Sequence, residues 1–182
     1  MNETSVMISI QPQWCAKIAN KQKTLEIRKT KPKLSLPFKC YIYCTNGGRP
    51  LVYGDVRCFE GYREEYTQTY GRSRKDAERI WNVYNGRVMG EFICDVISEI
   101  ELPYTDKTDG TCLMAEEMND YANGKTLYGW HISKLDIYDT PVELSNFFVE
   151  SVTTHDCPTL TRMKRPPQSW CYVEGRIEDE NA

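Results

Sequence analysis

The run Lys23-Thr24-Leu25-Glu26-Ile27-Arg28 brings one acid and two bases together in a short stretch of alternating polar and apolar residues. In an extended strand alternate side chains point to opposite faces, so Leu25 and Ile27 fall on one side and Thr24, Glu26 and Arg28 on the other. Such a carboxylate and guanidinium can read the edge of a planar ligand. Glu26 would accept from an amino or imide N–H, and Arg28 would grip a phosphate or carbonyl with its fork. Lys23, at the entrance to the strand, adds a movable cation. The same residues also suit hydrolysis, with Lys23 or Glu26 activating water and Arg28 stabilising developing negative charge. A salt-bridge cluster that only shapes a binding cleft is the plainer reading. Whether the chain is an enzyme stays open at this level.

Flat side chains are the second resource. The chain has 12 Tyr and 4 Trp, and single-stranded nucleic acid is commonly held by bases stacking on such rings beside cations. Trp14, Tyr43 and Trp130 are candidate ligand platforms, with Trp170 as a further one. Trp130 and His131 have opposite strand parity, so only one of them can face a ligand. The cysteines suggest neither metal nor nucleophile. Cys40 and Cys44 share a strand face, and His155-Asp156-Cys157 and Cys171 lie near the end, but no C-x-x-C knuckle occurs. No metal and no cofactor are expected. Gly71-Arg72-Ser73-Arg74-Lys75 with Arg79 forms the clearest basic cluster, diluted by neighbouring acids.

These residues need elements to hold them. A buried strand is predicted over 6–10, ended by Gln11-Pro12. A helix is predicted over 13–20, then the charged strand. Strands follow at 40–44 and 87–102, the latter long and bent. A short helix over 111–121 stops at Asn123-Gly124. Strand regions at 128–132 and 135–138, a helical turn or two at 141–148, and a closing strand over 166–173 complete the reading. Residues 61–86 are polar and Arg- and Tyr-rich, and read as an insertion with a helix over 75–84. Helices at the connections of a strand-rich chain favour an α+β fold built on a small mixed barrel.

The chain is long enough, at 182 residues, for one domain with a real core. Its net charge of −3 argues against coating duplex DNA by bulk electrostatics, though not against a local basic site. The start lacks the pattern of a secretory signal, no apolar run is long enough to span a bilayer, and reduced thiols are expected; a cytoplasmic protein without a membrane partner is the expectation.

Ile8-Ser9-Ile10-Gln11-Pro12, a helix, and then Lys23-Thr24-x-Glu26-x-Arg28 resemble the opening of ASCH domains, of the PUA-like superfamily of β-barrels. Gly90-Glu91-Phe92, Tyr128-Gly129-Trp130-His131-Ile132-Ser133 and Pro141 are similar to the family's second half. The resemblance runs from about residue 6 to 147, leaving a C-terminal extension over 149–182. It implies a single PUA-like domain of phage or bacterial type, with a cleft between the first helix and the barrel that binds RNA or a nucleotide. Trp14, Lys23, Thr24, Glu26, Arg28, Tyr43 and Trp130 would serve that cleft. Some small members are hydrolases, one acting on N4-acetylcytidine and another on RNA. The catalytic lysine of the former corresponds to Lys23, whereas its threonine falls at Glu26; Glu116 or Glu117 is nearest to its glutamate. The usual turn glycine before the lysine is replaced by Lys21. A protein-interaction module of phage type is a further alternative.

Overall fold

The computed structural model describes residues 4–47, 51, 83–101, 103–104, 110–152 and 158–177. The expected insertion over 61–86 lies almost wholly outside the described residues, as do the basic cluster at 71–79 and His155-Asp156-Cys157.

Strand β1 (Ser5–Ile10) runs into helix α1 (Pro12–Ala19), which opens on a proline whose missing N–H costs nothing there. β2 (Leu25–Arg28) and β3 (Phe38–Cys44) follow, then two long strands, β4 (Arg87–Ile100) and β5 (Leu127–Val142), with α2 (Ala115–Ala122) between them. A short 3-10 turn, Leu144–Asn146, leads to β6 (Phe147–Val152), β7 (Pro158–Arg162), β8 (Trp170–Val173) and β9 (Gly175–Arg176). The helical turn or two predicted over 141–148 is the single 3-10 turn Leu144–Asn146, set between the ends of two strands. The register of β4 against β5 slips at three places, which bends this long pair.

The main sheet has the order β2-β5-β4-β3-β1-β8, and β7-β6-β9 form a second, three-stranded sheet. β1 is parallel to β3, and the other pairs of the main sheet are antiparallel. Both faces of β1 are covered, so it reads as an unbroken apolar run. Val6, Ile8 and Ile10 join Cys40, Ile42, Cys15 and Ile18 under α1, while Met7, Tyr41 and Val88 pack on the other face against Phe147 and Met163.

The expected α+β class stands, but the barrel does not close. β2 and β8 end the main sheet without a ladder between them. Side chains cross the seam instead. Trp170 Nε1 donates to Thr30 Oγ1 at 2.9 Å, and the Lys33 backbone N–H donates to the Tyr172 hydroxyl at 2.9 Å. β8 is only four residues long, so it stops short of Ser9 and Ile10 at the end of β1. No described helix is long and apolar enough to cross a membrane.

The second sheet is fastened to the first by a polar knot. Lys39 Nζ pairs with Glu91 Oε1 at 2.8 Å, Tyr138 donates its hydroxyl to Glu91 Oε2 at 2.5 Å, and Arg176 Nη1 donates to the Tyr138 hydroxyl at 2.9 Å. Burial pushes the Glu91 carboxyl up, but the bonds from Lys39 and Tyr138 outweigh it and hold Glu91 below the usual carboxylate range. A depressed carboxylate stabilises the fold above its ordinary value of 4.5 and loses that contribution as pH falls below it. Melting temperature followed against pH should therefore fall less steeply below that value in Glu91→Gln than in the parent. Equal slopes would show that the knot carries no linked proton.

Candidate functional site

The seam holds a cleft of about 400 Å³, within the range of small-molecule sites. Ser9 and Gln11 line it from β1 and the start of α1, Trp14 from α1, Glu26 and Arg28 from β2, and Gln168 from the segment before β8. Lys23 and Glu117 also reach it.

β2 explains half of this. Ile27 points to a small core with Met118, Ala122 and Leu127, which docks α2 against the strand. Glu26 and Arg28 therefore face the other way, toward α1 and the end of β1. Lys23 has the wrong parity to join them along a strand, but the strand starts only at Leu25. The chain leaves α1 through Lys21 at φ 59°, a left-handed turn that a glycine would take without steric cost. That turn delivers Lys23 into the cleft wall.

Three buried charges meet there. Arg28 Nη2 lies 3.1 Å from Glu26 Oε1, and Lys23 Nζ lies 3.4 Å from Glu26 Oε2. Lys23 also donates to the carbonyls of Leu25 at 3.0 Å and Thr111 at 2.7 Å. Arg28 donates to the Ser9 carbonyl at 2.7 Å, tying the charged strand to β1 across the seam. Of the three N–H groups of its ammonium, Lys23 spends two on these carbonyls, and the carboxylate is held by charge alone. Its bond to Thr111 fixes the approach to α2, which is pinned again by Thr24 and Leu25 N–H donating to the Gly110 carbonyl at 2.8 and 3.0 Å. Gly110 has φ +91°, and a Cβ there would lie 2.2 Å from Thr24 Oγ1.

The triad is incompletely satisfied. Among the described residues, neither Glu26 Oε2 nor Arg28 Nε has a hydrogen-bond partner, although both atoms are buried. The Lys23 contact to Oε2 is an ion pair without hydrogen-bond geometry. Trp14 stands over this group, with Lys23 Nζ 5.5 Å and Lys17 Nζ 5.2 Å from the centre of its ring. Glu117 is fixed by the Met114 N–H, which donates to its Oε2 at 2.8 Å.

Four of the residues singled out in the sequence thus converge: Trp14, Lys23, Glu26 and Arg28. Three do not. Thr24 is exposed outside the cleft. Tyr43 belongs to the core on the far face of the sheet, with Met7 and Phe147. Trp130 is fully buried, edge-on to Phe38 with ring centres 5.9 Å apart and tilted against Trp170 at the same distance. It is the cross-strand partner of Glu26 and so packs beside it on the same face of the sheet. His131 faces out instead and pairs with Asp95 at 2.6 Å. Of the two helix glutamates, Glu117 lines the cleft. Ser9 and Gln11 lie in the opening run that carries the resemblance but were not singled out for the cleft, and neither was Gln168; the sheet makes all three adjacent. Among the described residues no group of His, Cys, Asp and Glu is arranged to hold a metal ion, and burial pushes the Cys15 and Cys40 thiols well above their usual range.

No family model matches the chain, and neither does any curated protein. Among solved structures the chain is similar to ASCH from Zymomonas mobilis, at 14% identity and a TM-score of 0.49, over 97% of this chain and 89% of that one. Two single-residue variants of that protein match alike, at TM-scores of 0.49 and 0.48 and identities of 14% and 15%; each match covers 92% of this chain, with 88% and 87% of the other. The likeness is to structures named for the family that the charged strand resembles. At this identity and TM-score it says nothing of ligand or activity, which the cleft's own residues must decide.

Proposed function

We propose that the cleft is a recognition site for one base of an RNA strand or nucleotide, and that Lys23 positions rather than catalyses. The observation that carries this reading is a buried carboxylate and guanidinium with unused hydrogen-bonding atoms, set beside the half-buried ring of Trp14. A buried polar atom left unpaired costs about 1–3 kcal/mol, so a ligand that pairs it recovers that cost on binding. A base supplies what is missing: an N–H for Glu26, an acceptor for Arg28, and a face for Trp14. Lys23 is already committed to the Thr111 and Leu25 carbonyls, which suits a clasp better than a group that shuttles protons.

Calorimetric titration with the common ribonucleosides and with short ribo-oligonucleotides tests this. Trp14→Ala should weaken binding by about ten- to a hundredfold, as loss of one base–aromatic stack does, with little loss of stability. Unchanged affinity in that variant would remove Trp14 from the site.

The hydrolytic alternative rests on Glu117, a carboxylate in the cleft that an acid–base mechanism would need. Product analysis after incubation with N4-acetylcytidine or RNA separates the two. Binding alone leaves both substrates intact.

A further inference from the structure

We propose that the RNA strand continues from the cleft into a second groove on the C-terminal segment, which holds the adjoining nucleotide through its phosphate and ribose. This rests on the reading of the cleft as a base site and adds a subsite to it. The groove, about 370 Å³, is lined by Glu150, Lys164, Arg165, Pro167, Tyr172 and Glu174, among others.

Its position is the first argument. Pro167 lines the groove and Gln168 lines the cleft, so the two sites sit on either side of one peptide unit. Consecutive Cα atoms are about 3.8 Å apart, so the two linings approach within one residue of each other. The divider is fixed to the cleft wall. Ser9 donates its hydroxyl to the Pro167 carbonyl at 2.6 Å and its backbone N–H to the Ser169 carbonyl at 2.9 Å. Pro166 and Pro167 stiffen the same stretch.

Charge is the second. In the cleft both Lys23 and Arg28 are ion-paired with Glu26, so neither cation is left unpaired for a phosphate. A strand bound there needs its phosphates held elsewhere. Lys164 and Arg165 are exposed at the edge of the second groove, and among the described residues no carboxylate pairs with either. The groove's acids come from other elements: Glu150 from β6, and Glu174 just after β8, where it accepts from the Thr4 hydroxyl at 2.9 Å. Carboxylates repel a phosphate but accept from sugar hydroxyls, and the 2′-hydroxyl is the group that marks RNA. Tyr172, 37% exposed, offers a ring beside them.

The test compares each ribonucleoside with its tetraribonucleotide and tetradeoxyribonucleotide by calorimetry, in the parent and in a Lys164→Ala, Arg165→Ala double variant. Both side chains are exposed, so the variant should fold. The tetraribonucleotide should bind more tightly than its nucleoside. The double variant should weaken tetraribonucleotide binding by about tenfold, leave the nucleoside unchanged, and reduce the slope of log affinity against log salt by about 0.7, the value for one phosphate contact on a single strand. Nucleoside binding with no gain from the longer chain overturns the second groove and leaves the cleft standing. So does a double variant that binds the tetraribonucleotide as the parent does. Equal affinity for the deoxy strand overturns the assignment of the groove to ribose. Failure of every nucleoside and oligonucleotide to bind overturns the cleft reading itself, and the groove with it.

Discussion

Glu26→Ala is expected to destabilise the protein by about 3–5 kcal/mol and to abolish ligand binding. The carboxylate lies between Lys23 and Arg28, whose side chains are 3% and 13% exposed. Its removal leaves a nearly inaccessible Lys23 ammonium and a largely buried Arg28 guanidinium without their ion-pair partner. The stability loss alone would not establish function, since a purely structural triad would behave alike. A triple variant, Lys23→Met with Glu26→Leu and Arg28→Met, separates the roles. Replacing all the charges by apolar groups of similar size removes the desolvation cost along with the pairing, so most of the lost stability should return. Recovery falls short of complete because the carbonyls of Ser9, Leu25 and Thr111 lose their donors. Binding should not return at all. Denaturant unfolding and titration of the parent and both variants give the comparison, and a Glu26→Ala protein as stable as the parent would contradict the buried triad.

Trp130→Ala should also cost about 3–5 kcal/mol, the usual loss for a large aromatic side chain removed from a packed core. Its indole is fully buried against Phe38 and Trp170, and Trp170 is itself tied across the seam to Thr30. The void would open beside Glu26, its neighbour in the strand register on the same face, so the folded fraction should also bind ligand less well. The denaturant midpoint measures the first effect and titration under strongly native conditions the second. Trp14→Ala should show the reverse balance, with affinity falling far more than stability. A Trp130 variant that unfolds at the parent's midpoint would mean that the indole is not packed as described.

That contrast shows what the sequence could and could not carry. The alternation of Leu25 and Ile27 with Glu26 and Arg28 needs only the strand's period of two, and the observed faces follow it. Lys23 escaped that rule because it precedes the strand and enters from a left-handed turn at Lys21. Nothing in spacing distinguished Trp14 from Trp130, since a half-buried ring and a core ring look alike until the sheet is assembled. The open barrel was equally hidden. Whether β2 meets β8 depends on the length of a four-residue strand near the far end of the chain, and a family resemblance supplies only the closed expectation. Glu117 and Gln168 enter the cleft through long-range packing, α2 on β2 and the segment before β8 on β1. Local pattern has no access to such contacts.

The central claim is that a base occupies the seam between α1, β2 and the end of β1. Backbone and indole N–H chemical shifts recorded during titration with a ribonucleoside test it most directly. The account predicts saturable shifts concentrated at Trp14, at Ser9 to Gln11 and at Glu26 to Arg28, with the indole of Trp14 moving most. Shifts that do not saturate, or that cluster away from those residues while the Trp14 indole stays still, would contradict it.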